Sequence, residues 1–142
     1  MEVLYRAHAT ASGGGRDEGR STTDDGKIDV RLSVPPEMGG KGGDGTNPEQ
    51  LFATGYAACY LGALRLVAGK AGKPVAPETK VNATVGFGPN PNGEGFNLDI
   101  DLTVVDHGLD PVAIHDLITR AHQVCPYSNA TRGNVDVRLG AA

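Results

Sequence analysis

The 142-residue sequence predicts an α+β fold, with mainly antiparallel sheets and two principal helices, on three observations. Residues 28–34 and 96–104 alternate apolar with polar side chains, as half-buried strands do: Asp29, Arg31 and Ser33 interrupt the first, and Asn97, Asp99, Asp101 and Thr103 the second. Two apolar runs each open on a capping side chain followed by proline, at Asn47-Pro48 and at Asp110-Pro111. Taken along the chain, the order is strands, helix, hairpin, helix, strand, and 1–142 reads as one domain.

The elements follow in turn. Residues 3–10 carry the strand alternation less cleanly than 28–34, as do 81–87 and 135–139. At the first helix Asn47 is the cap, Pro48 takes the first helical position, Gln50 stands three residues past the cap, and 51–68 is an apolar run. That run is about a membrane's thickness in length, but Arg65 interrupts it and much of the rest is Ala and Gly. A helix apolar on nearly all sides is expected at the centre of a fold. Its small residues Ala53, Gly55, Ala57, Ala58, Gly62 and Ala63 permit close approach by another backbone. Pro89-Asn90-Pro91-Asn92-Gly93 turns one strand into the next as a hairpin. In the second helix Ile114, Leu117, Ile118, Ala121 and Val124 form the inward stripe, and Cys125-Pro126 ends it.

Composition narrows the function. Tryptophan is absent, aromatics are 5% and 21 residues are glycine, so the core is light for a monomer and a homodimer is expected. A net charge of −4 lacks the clustered Lys and Arg excess that binds nucleic acid. The N-terminus has no basic stretch leading into an apolar one and a small-residue cleavage site, so a cytoplasmic protein, neither secreted nor membrane-bound, is expected. The sequons at Asn82 and Asn129 then carry no glycan.

Cysteines are kept reduced in the cytosol, so Cys59 and Cys125 are either small buried hydrophobes or redox-active thiols, not a structural staple. Neither gains from a helix dipole, since Cys59 lies mid-helix and Cys125 at a C-terminal end. A reactive thiolate here needs a cation brought to it. Arg16, the basic residue of the turn Gly13-Gly14-Gly15-Arg16-Asp17, suits the task because arginine stays charged in a dry pocket. Gly40-Lys41-Gly42-Gly43-Asp44-Gly45 matches the dinucleotide-binding pattern, yet no Asp or Glu occurs between Glu49 and Glu78 to bind a ribose, so it reads as a loop. His122 and Cys125 share a helical turn without further ligands, so no metal is expected, and His115 and His122 read as a solvated helix face. Asn129, Thr131 and Arg132 read as shaping a loop after Cys125.

Two longer motifs carry a family resemblance. GTNPEQLFATGYAACYLGAL (45–64) and VCPYSNATRGN (124–134), with GGRD at 14–17, resemble the organic hydroperoxide resistance (Ohr) proteins of the OsmC family across nearly the whole chain. The resemblance implies an intertwined α+β homodimer with active sites at the subunit interface. Each would reduce alkyl or fatty-acid hydroperoxides by a cysteine mechanism, with no bound cofactor. By position in these motifs Cys59 matches the peroxidatic and Cys125 the resolving cysteine. Arg16 matches the arginine that activates the thiolate, and Glu49 the glutamate paired with it. The implied reductant is a lipoylated protein, acting through dihydrolipoamide. Glu18 stands as an extra residue after GGRD, which leaves Arg20 a rival for the role of Arg16.

On this reading the Cys59 thiolate attacks the distal peroxide oxygen, a guanidinium steadies the departing alkoxide, and the sulfenic acid condenses with Cys125. Leu51, Phe52, Tyr56, Leu61 and Leu64 would bury an organic tail, at about 0.8 kcal/mol per methylene. Glu49 precedes Cys59 by ten residues, about 15 Å along a helix. One arginine hardly spans that distance, so Glu49 and Arg16 are expected to serve the Cys59 of a partner chain. An OsmC-branch peroxidase of different preference, and a thiol sensor without turnover, remain the alternatives.

Overall fold

A computed structural model describes residues 1–142, which gather into two compact units, 1–51 and 52–142. The first is a three-stranded antiparallel meander, β1 (Ala9–Ser12), β2 (Arg20–Thr23) and β3 (Asp29–Arg31), in that order. Ser12 pairs with Arg20 across the β1–β2 connection. That connection is tight: a Cβ on Gly14 or Gly19 would stand 2.0 Å from a backbone carbonyl oxygen, so only glycine fits at either place.

The strands here depart from expectation. The strand expected at 3–10 occupies only Ala9–Ser12, and Val3, Leu4 and Tyr5 are exposed, because β2 has no residues opposite them with which to form a ladder. β2 has no alternation to read; its Arg-Ser-Thr-Thr sequence is recruited through backbone hydrogen bonds to β1 and β3, with Arg20 also paired across to Asp29. The strand expected at 28–34 contracts to Asp29–Arg31, after which Leu32 bridges in parallel to Thr46. The loop at 40–45 folds back on this stretch, with Gly42 N–H donating to the Val34 carbonyl and Gly45 N–H to Ser33 Oγ, both contacts that a structural loop explains.

Helix α1 (Pro48–Lys70) begins in the first unit and runs through the second. Asn47 Oδ1 accepts from the Gln50 N–H at 2.8 Å, and Gln50 Oε1 accepts from the Thr46 hydroxyl at 2.6 Å, so the glutamine's reach back engages the residue before the cap.

The second unit holds β4 (Lys80–Pro89), β5 (Phe96–Val105), α2 (Pro111–Val124), α3 (Pro126–Thr131) and β6 (Val137–Ala141). β4 and β5 form the expected hairpin over ten paired residues, from Lys80 opposite Val105 to Pro89 opposite Phe96. β6 joins β5 in parallel, Ile100 opposite Val137. Asp110 caps α2 as expected, accepting from the Val112 and Ala113 amides.

The core lies in this second unit. Tyr56, Tyr60, Leu64 and Val67 of α1 meet Ile100, Leu102 and Val104 of β5 and Ile114, Leu117, Ile118 and Ala121 of α2. The i, i+4 spacing along α1 is the face this core covers. Two expectations are corrected here. Val124 is 44% exposed and leaves the stripe of α2, since the chain turns at Cys125. α1 is buried on one side only: Ala58, Gly62, Leu66 and Gly69 face outward, because the chain has nothing to lay over them. By length and composition α1 could cross a membrane, but its buried stripe belongs to this core.

Candidate active site: a thiol pair and an arginine–glutamate pair

Cys59 lies half-buried on α1, and Cys125 is fully buried where α2 hands over to α3. Both are free thiols, and their sulfurs stand 3.5 Å apart. The sequence separates them by sixty-six residues, so this meeting is the work of the fold. Cys125 is held from both sides: its N–H donates to the Ala121 carbonyl at the end of α2, and its carbonyl accepts from the Asn129 N–H in α3. Pro126 opens α3, its missing N–H no loss at a first helical position.

α3 replaces the loop expected after Cys125, since Pro126-Tyr127-Ser128-Asn129-Ala130-Thr131 is too short to show a period. It is tied to α1 by the Tyr56 hydroxyl, 2.9 Å from Ser128 Oγ and 3.2 Å from Thr131 Oγ1, with Ser128 wholly buried and Thr131 nearly so. Sequence reasoning passed over Ser128, and the only available signal was its place three residues past Cys125 in the second motif. Arg132 ties the far end, donating to Asn129 Oδ1 and to the His122 carbonyl. His115 is exposed as expected, whereas His122 is half-buried with its Nδ1 lacking a partner, because α3 folds against that part of α2. Burial, aided by the charge of Arg132, pushes the His122 pKa down.

Burial pushes the Cys59 thiol above its ordinary value, the backbone N–H of Tyr127 favours the thiolate, and Cys125 opposes it. A thiol raised by burial is mostly protonated near neutrality, so a cation is what it lacks.

In the first unit Arg16 and Glu49 form a bidentate pair, both contacts 2.9 Å. Arg16 projects from the glycine-rich connection, and Glu49 sits in the first turn of α1, where the helix dipole also favours a carboxylate. The Arg16 guanidinium holds the Glu49 carboxyl below its usual range. Arg20 is committed elsewhere, to Asp29 at 2.8 and 2.6 Å, so Arg16 is the partner of Glu49. Glu18, the extra residue, is absorbed between them with φ of 54°.

The apolar set divides. Leu51, Phe52 and Leu61 are half-buried, but Tyr56 and Leu64 have no exposed surface, and this part of the expectation is corrected: both fill the core, where an i, i+4 stripe on α1 places them.

A chain with two reduced thiols 3.5 Å apart is by geometry a dithiol protein. A family model described as OsmC-like protein matches residues 40–140. The "Organic hydroperoxide resistance protein" of Xanthomonas axonopodis pv. citri is 50% identical, over 99% of this chain and 96% of that one. The "Organic hydroperoxide resistance protein OhrB" of Bacillus subtilis is 42% identical, over 96% and 97%. A crystal structure of an organic hydroperoxide resistance protein from Elizabethkingia anophelis superposes with a TM-score of 0.91 at 45% identity, over 100% of this chain and 99% of that one. The chain belongs to the organic hydroperoxide resistance proteins of the OsmC family.

Proposed function

We propose that this protein is a cytoplasmic, homodimeric thiol peroxidase that reduces organic hydroperoxides to alcohols. The observation that carries the reading is the 3.5 Å approach of Cys59 and Cys125 as free thiols, near enough for one to trap the other's oxidised form. The names of its relatives supply the substrate class.

The Cys59 thiolate attacks the distal oxygen of ROOH; the O–O bond breaks, sulfur is oxidised to sulfenic acid, and the alkoxide leaves as ROH after taking a proton. Cys125 then attacks the sulfenic sulfur, the S–O bond breaks, and water departs as the disulfide forms. Dihydrolipoamide on a lipoylated protein reduces that disulfide by thiol exchange and becomes the cyclic lipoamide disulfide. No bound cofactor or metal enters the cycle.

The raised Cys59 pKa defines what the rest of the site must supply. A guanidinium against the sulfur favours the thiolate and steadies the alkoxide, and Glu49, by its two-pronged grip, aims Arg16 for both. Glu49 and Cys59 lie ten residues apart on α1, about 15 Å at 1.5 Å per residue. Arg16 and Glu49 therefore act on the Cys59 of the partner subunit. Leu51, Phe52 and Leu61, half-buried along α1, are left to take the organic tail. The test is a peroxidase assay with cumene hydroperoxide and lipoylated protein: the wild type turns over and Cys59→Ser does not, whereas equal rates would overturn the reading.

A further inference from the structure

Cys59 has a companion one turn back on the same face of α1. Gly55 lies four residues earlier, and the ring of Tyr127 rests on it: a Cβ at position 55 would stand 3.0 Å from Tyr127 Oη and 3.2 Å from its Cε2. The same ring packs on Phe52 and Tyr56, with centroids 5.8 and 5.6 Å away. Tyr127 follows Cys125 by two residues, and its backbone N–H is turned toward the Cys59 sulfur. The segment after Cys125 is thus clamped to α1 twice, by the Tyr127 ring over Gly55 and by the Tyr56 hydroxyl on Ser128 and Thr131. The sulfur–sulfur approach lies beside the first clamp.

We propose that Tyr127, seated on the bare backbone of Gly55, is a positioning residue that holds Cys125 against Cys59, so that the sulfenic acid is trapped before a second hydroperoxide reaches it. The proposal rests on the peroxidase reading for its biological sense, though not for its geometry. Two fates compete for Cys59 sulfenic acid. Attack by Cys125 breaks the S–O bond and releases water, leaving the disulfide; attack on a second ROOH adds an oxygen, releases ROH and leaves sulfinic acid. The first is intramolecular, so its rate follows how often the sulfurs are in reach, and a tether loosened by an ångström lowers that effective concentration steeply. Tyr127 is 39% exposed, so solvation alone does not hold its ring inward; the flat seat and the two neighbouring rings do.

Gly55 makes the test clean. Alanine is the better helix former, so Gly55→Ala would favour α1 locally while pushing the Tyr127 ring back on its seat by a few tenths of an ångström. Tyr127→Phe removes the atom nearest the new methyl, leaving the Cε2 contact at 3.2 Å, and should restore the seat in part in the double variant. Three measurements are made on the intact protein. The equilibrium between dithiol and disulfide in a glutathione buffer, which involves no peroxide, should shift toward the dithiol by roughly tenfold in Gly55→Ala and Tyr127→Ala. Intact-mass spectrometry after graded cumene hydroperoxide should show a several-fold larger sulfinic fraction per turnover. Thermal unfolding should show Gly55→Ala no less stable than wild type, separating loss of position from loss of fold.

Recovery of both disulfide readouts toward wild type in Gly55→Ala/Tyr127→Phe supports the seat. A wild-type equilibrium and wild-type sulfinic fraction in Gly55→Ala and Tyr127→Ala would overturn it, and Tyr127 would be filler. Should the wild type fail to consume hydroperoxide, the peroxidase reading falls, while the glutathione equilibrium still decides the positioning role.

Discussion

The proposed disulfide would require the two sulfurs to close from 3.5 Å to about 2.05 Å, a movement of roughly 1.5 Å. Cys125 is wholly buried and held by hydrogen bonds from two helices, so the mobile partner in that closure is the half-exposed Cys59 side chain. Cys125→Ser should consume one equivalent of hydroperoxide per subunit and stop, its Cys59 passing on to sulfinic acid under excess; normal multiple turnover by mass spectrometry would remove Cys125 from the cycle. The pH behaviour follows from the directions of the shifts. Burial raises the Cys59 thiol, so without a cation the thiolate appears only above the ordinary cysteine value. Arg16→Ala should therefore move the midpoint of iodoacetamide alkylation to higher pH, and Arg16→Lys should recover part of it, a point charge replacing a fork. Arg20→Ala should leave the midpoint in place because Arg20 is spent on Asp29; the reverse order would transfer the role to Arg20. Glu49 has the opposite sign. Its folded pKa is lowered, so the stability its pairing contributes is present above the ordinary carboxyl value and is lost as pH falls through the lowered one.

Among the elements, α3 decides most and was least visible. Six residues cannot display helical periodicity, and nothing local distinguishes them from a loop. α3 exists because Pro126 starts it, Tyr56 bonds it to α1, and Arg132 closes its end on the His122 carbonyl. The Tyr56 hydroxyl, though part of a residue expected to touch substrate, is a structural clasp. Tyr56→Phe leaves the Ser128 hydroxyl without that partner in the core and takes one from Thr131, so a loss of about 1–3 kcal/mol is expected in urea unfolding. Faster amide exchange should be confined first to 126–132, and unchanged protection there would show that α3 stands without the clasp. α1, by contrast, was legible to its cap: Asn47-Pro48 and Asp110-Pro111 specify helix starts by local hydrogen bonding that needs no tertiary partner. The strands divide on the same principle. β4 and β5 alternate and pair over ten residues, whereas β2 is strand only because β1 and β3 flank it.

At the scale of the whole molecule, the first unit buries one large apolar side chain, Leu32, in fifty-one residues, and one face of α1 is left open. So little burial does not hold a sheet together alone, which supports the proposed homodimer. A mixing experiment tests both the dimer and the route of Arg16. Cys59→Ser and the double variant Arg16→Ala/Glu49→Ala should each be nearly inactive alone. Refolded together, mixed dimers carry one complete site if Arg16 and Glu49 act across the interface, and activity should return to roughly a quarter of wild type when half the dimers are mixed. No recovery, with exchange confirmed by native mass spectrometry, would place the action of Arg16, Glu49 and Cys59 within one chain.

What the sequence determined by itself was whatever depends on neighbours along the chain. The caps of α1 and α2, the alternation of β4 and β5, the hairpin between them and the family motifs around Cys59 and Cys125 are each written in residues close to one another along the chain. The tertiary structure alone decided the 3.5 Å between sulfurs sixty-six residues apart, the choice of Arg16 over Arg20 for Glu49, the existence of α3 and the burial of Tyr56 and Leu64. The physical reason is common to these: pairing, burial and thiol approach depend on distance through space, and a chain that shows which residues could meet does not show which side of a helix its own core will cover.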